Sequence, residues 1–232
     1  MNINRRWLSV GGDLFILQGT WTLWALGIFF ILNLVVHFFT GHLVDADSNF
    51  LITGLSSATG YLLVIGIITT TEGVKTFARV GVTRKEYFKG NLLSTLALAT
   101  ALVTALVPLH FALGAVLQNY DAQAFFSVRI LIEGVLQAIQ FYLFGWLVIL
   151  GFKRYGALGG IITIAVLSAV MGIYQSVWNF EGALSEINFF LWVVNLEILQ
   201  VSFAVAALLS VLLILITLWF IHKLTAELEI KV

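Results

Sequence analysis

The sequence predicts an all-α integral membrane protein with six transmembrane helices and both termini in the cytoplasm, preceded by an amphipathic interfacial helix. Composition is the first observation: of 232 residues, 60% are hydrophobic and only 10% are charged, and the mean hydropathy is +1.02, which lies outside the range of soluble domains. Second, the apolar residues are gathered in six long runs. Third, basic residues are concentrated in alternate connections between those runs, which indicates one orientation for every span.

The first predicted element is an amphipathic helix at residues 1–19 that lies in the cytoplasmic interface. Trp7 and Val10 belong to an apolar stripe with spacings of three and four residues, and Gly11 and Gly12 form a weak point in the helix. Because Trp prefers the headgroup level and charge is costly to bury, we expect this helix to lie on the membrane. A plain N-terminal extension of the first span is the alternative.

The six apolar runs are predicted to be transmembrane helices. Each is long enough to cross a hydrocarbon core of about 30 Å, and none shows the two-residue alternation of a barrel strand. The third run contains Pro108, which we expect to kink it, and Gly156 and Gly160 in the fifth are spaced for close helix packing. The spans are predicted at residues 20–39, 51–71, 90–117, 128–152, 155–178 and 198–221.

The distribution of charge predicts the orientation. Eleven of the twelve basic residues fall on one side of the membrane in this arrangement, and only Arg129 falls on the other. The basic side is expected to be cytoplasmic, which makes residues 20–232 a transmembrane domain with both ends inside. Its bases are Arg5, Arg6, Lys75, Arg79, Arg84, Lys85, Lys89, Lys153, Arg154, Lys223 and Lys231.

Charge and cysteine content exclude several classes of function. The formal net charge is zero, so the chain has no overall basic field for binding nucleic acid. It has no cysteine, which excludes redox chemistry on protein thiols and metals held by cysteine. We expect no bound metal and no resident cofactor, because His42 and Asp45 in the first outer loop do not form a convincing ligand set.

The longest cytoplasmic connection, residues 72–90, carries the strongest functional signal. Val74, Phe77 and Val80 form a short apolar edge, which predicts a brief amphipathic helix. Gly81 is expected to end that helix, since glycine readily adopts the left-handed conformation found at helix ends. A basic anchor that holds the membrane orientation is the plainer interpretation of this loop.

A second helix is predicted to follow at once. Thr83 and Glu86, three residues apart, form a capping-box pattern, so the helix should start at Arg84 and run into the third span. The loop is thus expected to be a helix, a sharp corner and a helix facing the cytoplasm. Such a compact projection can transmit force between a cytoplasmic partner and two spans.

The segment from Gly81 to Gly90, with the sequence GVTRKEYFKG, resembles the cytoplasmic loop of ABC-2 type transporter permeases, the membrane subunits of bacterial ABC exporters. The family pattern is a glycine, a hydrophobic residue, Ser or Thr, Arg, and Arg or Lys, followed by an aromatic pair. The predicted topology extends the resemblance to nearly the whole chain. It implies a multi-pass protein of a bacterial plasma membrane.

The resemblance further implies a coupling helix that docks in a groove of a separate ABC ATPase subunit. Phe77 and Val80 would be apolar anchors, and Arg79, Arg84 and Lys85 would be charge partners. ATP and Mg would be bound by that partner, because the chain has no P-loop motif. The residues expected to dock are Lys75, Phe77, Arg79, Val80, Gly81, Thr83, Arg84 and Lys85.

Two further features are implied by the resemblance. The family dimerises around a central path, which predicts a homodimer or a heterodimer with a second permease. It often has short re-entrant helices between the last two spans, and residues 181–197 are the corresponding candidate. Within them, residues 189–194 form an apolar stretch that is too short to cross the membrane.

Polar residues in the outer half of the spans predict an outward-facing translocation path. Arg129, Glu133, Gln137 and Gln140 share one face of the fourth span, and Arg129 is placed to pair with Glu133. The plainer interpretation is that these polar side chains lie at helix ends that reach the lipid headgroups, and that Arg129 and Glu133 form a local ion pair. The remaining candidates for the path are Asn33, His37 and Glu197.

These features predict a permease subunit, not itself an enzyme, that couples ATP hydrolysis in a partner to export of a peptide, drug or lipid-like substrate. A substrate-capture subunit of a vitamin importer is one alternative, although such subunits carry small-residue motifs in the first span, where this chain is bulky. An intramembrane hydrolase is the other. Its candidate nucleophile Ser56 and the base His222 are predicted at opposite ends of the membrane.

Overall fold

The computed structural model describes residues 6–40, 50–116, 126–178 and 202–226. These residues form helices almost throughout, and five of the helices are long and apolar enough to cross a membrane, which is compatible with a multi-pass membrane protein. A π-helical turn at Thr69–Gly73 joins the second helix to the third. In chain order the helices are α1 (Arg6–Thr40), α2 (Phe50–Ile68), α3 (Val74–Arg79), α4 (Arg84–Val116), α5 (Val128–Trp178) and α6 (Phe203–Ala226).

Helix α1 is continuous from Arg6 to Thr40. The helix is therefore not interrupted at the predicted boundary between an interfacial helix and the first span. Its 35 residues extend about 52 Å at 1.5 Å per residue. Gly11, predicted as a weak point, instead permits a close approach to α4, because a Cβ there would lie 3.0 Å from the carbonyl oxygen of Gly90. Val10 and Leu14 are buried, so part of the predicted apolar face packs on protein.

Helix α5 reverses direction at Gly156, where φ is 70° and ψ is −163°. A Cβ built on Gly151 would collide with Thr163, twelve residues later, and one on Gly160 would collide with Phe152. Twelve residues of a straight helix span about 18 Å, so the two arms, 128–155 and 157–178, must lie side by side and antiparallel. The sequence predicted two spans here; Gly160 packs closely as expected, whereas Gly156 is the turn residue.

Helix α2 and the first arm of α5 pack backbone against backbone. A Cβ on Gly145 would collide with the carbonyl of Leu63, and one on Gly66 would collide with the carbonyl of Tyr142. Small residues that allow such an approach are typical of helices packed in lipid. Helix α1 packs mainly on α4, and α6 packs mainly on α5. Pro108 lies inside α4 without ending it.

Candidate functional site

The predicted corner between α3 and α4 is present, and hydrogen bonds define it. The N–H of Val82 donates to the carbonyl of Phe77 at 3.0 Å, and the N–H of Gly81 donates to the carbonyl of Ala78 at 3.1 Å. These two bonds form a Schellman motif, which requires the left-handed φ of 78° found at Gly81. Helix α3 therefore ends before Gly81, as the sequence predicts.

The capping box that starts α4 is also confirmed. The N–H of Thr83 donates to Glu86 Oε2 at 2.9 Å, and the N–H of Glu86 donates back to Thr83 Oγ1 at 3.3 Å. The carbonyl of Thr83 accepts the first helical bond, from the N–H of Tyr87, at 2.9 Å. Because the two motifs follow each other directly, the chain turns between the helices without a flexible linker.

The two apolar anchors predicted in this loop have different surroundings. Val80 is 72% exposed at the tip of the corner. Phe77 is only half-exposed, since its ring lies 5.8 Å from the ring of Tyr87, centroid to centroid, and packs on the core. Of the other predicted docking residues, Arg79, Gly81, Thr83 and Lys85 are exposed and Arg84 is half-buried; Lys75 belongs to α3, but its side chain lies outside the described parts.

The π-helical turn behind α3 is held by donors from two other helices. The hydroxyl of Tyr87 on α4 donates to the carbonyl of Thr69 at 2.9 Å. Lys153 Nζ on α5 donates to the carbonyls of Thr70 and Thr71 at 3.2 and 3.4 Å. A π-helical turn is a register irregularity that is frequent at functional sites. The corner is therefore anchored at its base as well as capped at its tip.

A buried network of five polar side chains lies next to this turn. Gln18 Nε2 on α1 donates to Thr69 Oγ1 and to the hydroxyl oxygen of Tyr142, both at 3.0 Å. Gln18 Oε1 accepts from Ser94 Oγ at 3.1 Å, and the Tyr142 hydroxyl donates to Asn91 Oδ1 at 2.8 Å. Gln18, Ser94, Asn91 and Tyr142 are at most 1% exposed. The network joins α1, the π-helical turn, α4 and α5.

This network is not among the sites that the sequence predicts. Isolated polar residues inside apolar runs, such as Gln18 and Asn91, are the signal that points to such sites. Gln18, however, falls in the predicted interfacial helix on the membrane surface, and its partner Tyr142 lies 124 residues further along the chain. No local spacing relates the two residues.

The predicted polar stripe on the first arm of α5 shares one face, and that face is turned toward α6. Gln137 Nε2 donates to Glu133 Oε1 at 3.1 Å, and Gln140 Nε2 donates to Thr217 Oγ1 on α6 at 3.0 Å. Arg129 is exposed, and its guanidinium lies over the ring of Phe203 at 5.5 Å from the centroid. Arg129 also interacts electrostatically with Glu133, one turn further along α5, in line with the pair expected from the spacing. Glu133, Gln137 and Gln140 are all buried.

Of the other residues predicted for the path, Asn33 has a described side chain, and its hydrogen bond does not go to the stripe. Asn33 Nδ2 donates to the carbonyl of Phe29 in its own helix at 2.9 Å, and its buried Oδ1 has no hydrogen-bond partner. His37 lies in α1, but its side chain is outside the described parts. Glu197 and the candidate re-entrant segment 181–197 also lie outside the described residues.

The described residues contain no group of three or more side chains that could hold a metal ion. Ser56, the candidate nucleophile of the hydrolase alternative, donates to the carbonyl of Ile52 at 3.0 Å, and His222 packs on Phe88 with ring centroids 5.2 Å apart. The chain matches no protein-family model, no curated protein and no solved structure.

Proposed function

We propose that this chain is a membrane permease subunit of an ABC exporter, and that a separate ABC ATPase subunit binds ATP and Mg and docks on the α3–α4 corner. The observation that carries the proposal is the corner itself. Its sequence resembles the coupling loop of ABC-2 type permeases, and its Schellman motif and capping box form a compact projection between two long apolar helices. Export of a peptide, drug or lipid-like substrate is the activity that follows.

The surface of the corner is suited to a docking role. Val80 presents an apolar tip that is 72% exposed, and the exposed Arg79 and Lys85 precede and follow it in the sequence of the corner. An apolar contact surrounded by bases complements a partner groove with an apolar floor and an acidic rim. Such a partner buries Val80 at the centre of the contact, while the bases orient the encounter.

Contacts behind the corner connect it to the rest of the bundle. Tyr87 and Phe88, in the first turns of α4, lie beside Trp146 on α5, with ring centroids 6.5 and 5.6 Å from the Trp146 ring. Phe88 also packs on His222 of α6. A displacement of the corner therefore reaches two further long helices through packed aromatic rings.

The topology we propose has six spans, with both termini and the corner in the cytoplasm of a bacterial cell. The reversal at Gly156 supports two spans within α5, and an even number of crossings returns the chain to its starting side. Basic residues from other connections lie near the corner: Lys153 reaches the carbonyl of Thr70, and Lys223 follows His222, which packs on Phe88. A cluster of bases at one end favours a cytoplasmic location for that end.

The remaining parts of the proposal concern the assembly and the path. We propose that two permeases, identical or different, form the membrane unit, with the N-terminal part of α1 at the cytoplasmic interface. The face of α5 that carries Glu133, Gln137 and Gln140 is the candidate translocation path. Its support is the concentration of polar side chains between α5 and α6.

Co-purification of the tagged chain with ABC ATPase subunits produced in the same cells tests the proposal. We expect Val80→Asp combined with Lys85→Glu to reduce the bound ATPase at least tenfold, because a charge enters the apolar contact and one base is reversed. Lys223→Glu is the matched control: it reverses a base at the same end of the bundle, but on α6, where Lys223 Nζ lies over the Trp219 ring and outside the predicted docking residues. If the double variant retains the ATPase, or if Lys223→Glu loses as much of the bound ATPase, the docking assignment is wrong.

A further inference from the structure

Resting on the proposed function, we infer that Gln18 and Tyr142 are positioning residues that hold the π-helical turn at Thr69–Gly73 in one register. Through this turn they carry a displacement of α3 into α1, α4 and α5 together. The corner binds the ATPase subunit, whereas the buried network determines whether a movement of the corner also displaces the other helices. Gln18 and Tyr142 each lie 62 positions from Val80 in the sequence and are connected to the corner by tertiary contacts.

The π-helical turn depends on contacts from outside its own helix. Its wider hydrogen-bond spacing is uncommon and persists where the surroundings favour it. Three helices supply those surroundings through one side chain each: Gln18 from α1, Tyr87 from α4 and Lys153 from α5. All three donate hydrogen bonds to residues of the turn, and two of the donors reach Thr69.

Gln18 makes the register specific because its carboxamide is fully used. Both Nε2 hydrogens are donated, to Thr69 and to Tyr142, and Oε1 accepts from Ser94. A shift of the turn by one residue rotates it by about 100°, which moves Thr69 Oγ1 away from Gln18. The network is therefore satisfied in one register and broken in the next.

A second register also has partners available. Asn91 Nδ2 and Trp146 Nε1 are buried without a hydrogen-bond partner. Asn91 already belongs to the network, and Trp146 packs against Tyr87, which holds the turn. A carbonyl group released by a change of register would give these donors an acceptor. Two packings with different hydrogen-bond partners are the basis of a switch rather than of a gradual deformation.

Hydrogen exchange followed by mass spectrometry on the purified chain in nanodiscs tests this inference. We expect Tyr142→Phe and Gln18→Leu to accelerate amide exchange at residues 69–79 at least tenfold, while exchange in α6 stays unchanged as an internal reference. Tyr61→Phe is the matched control, because it removes a hydroxyl whose partner, Thr22 Oγ1 at 3.0 Å, lies outside the network. In Tyr61→Phe, the rate of amide exchange at residues 69–79 should stay within twofold of the rate in the unsubstituted chain.

Wild-type exchange at residues 69–79 in Tyr142→Phe would overturn the inference, and so would an equal increase in Tyr61→Phe. Tyr142→Phe removes one oxygen atom and keeps the ring, so the test stands even where Gln18→Leu does not fold. With the ATPase present, Tyr142→Phe should retain wild-type binding, because the exposed tip is unchanged, but alter the rate of ATP hydrolysis at least threefold; an unchanged rate counts against it. If the unsubstituted chain does not bind the ATPase, the docking proposal is refuted, whereas the exchange experiment still tests the role of the buried network.

Discussion

The first arm of α5 has two polar faces that are built differently. Tyr142 lies on the face toward α2 and α4, and Glu133 lies nine residues earlier, which places it half a turn away on the face toward α6. On the Tyr142 face, hydrogen bonds connect four separate segments of the chain. On the Glu133 face, one bond stays within α5 and one reaches α6.

The difference indicates separate roles for the two faces. A network whose members are nearly all paired across helices fixes the helices relative to each other. Among the described residues, the Glu133 face has one hydrogen bond between helices, and its buried Gln140 Oε1 has no hydrogen-bond partner. Polar groups that are not engaged in holding helices together are available to a passing solute. Within the proposed function, we therefore propose that the Tyr142 face transmits force and that the Glu133 face contacts the substrate.

The largest effect is expected where the Tyr142 face meets α2. Gly145→Ala places a methyl group against the carbonyl of Leu63, with Ile67 N only 3.1 Å away, so the helices must separate. We expect the free energy of unfolding to fall by about 1–3 kcal/mol, the range for overpacked cores. Gly60→Ala, on α2 in open space, is the control and should be close to neutral. Equal thermal unfolding of both variants in detergent would contradict this packing.

A pair of identical substitutions compares the two faces directly. Gln18→Leu removes three hydrogen bonds, with Thr69, Tyr142 and Ser94, and should lower the free energy of unfolding by about 1–3 kcal/mol. Gln140→Leu removes one bond and an oxygen that has no partner, so its cost should be below about 1 kcal/mol. Equal midpoints for the two variants in denaturant titrations would show that the faces do not differ.

How much of the site the sequence predicts depends on the range of the interactions. The corner is built from hydrogen bonds between residues three to five apart, so Gly81, Thr83 and Glu86 reveal it. The stripe on α5 follows from helical periodicity alone. Gln18 and Tyr142 meet only after the bundle forms, because no rule of local spacing connects residues 124 positions apart.

Local patterns also explain where the fold differs from the prediction. Glycines four residues apart indicate helix packing, and Gly160 does pack on Phe152, but the same pattern does not reveal that Gly156 has a positive φ. The apolar stripe near the N-terminus is equally suited to lipid and to protein. In the structure Gly90 of α4 lies against Val10, so α1 packs on the bundle there.

Photo-crosslinking from the tip of the corner tests the central claim most directly. A benzophenone amino acid placed at Val80, which is 72% exposed, should form a covalent adduct with the ATPase in membranes that contain both proteins. The same amino acid at Val128, 64% exposed at the start of α5, should form none, because that position is predicted on the other side of the membrane. No adduct at position 80, or equal adducts at both positions, would contradict the account.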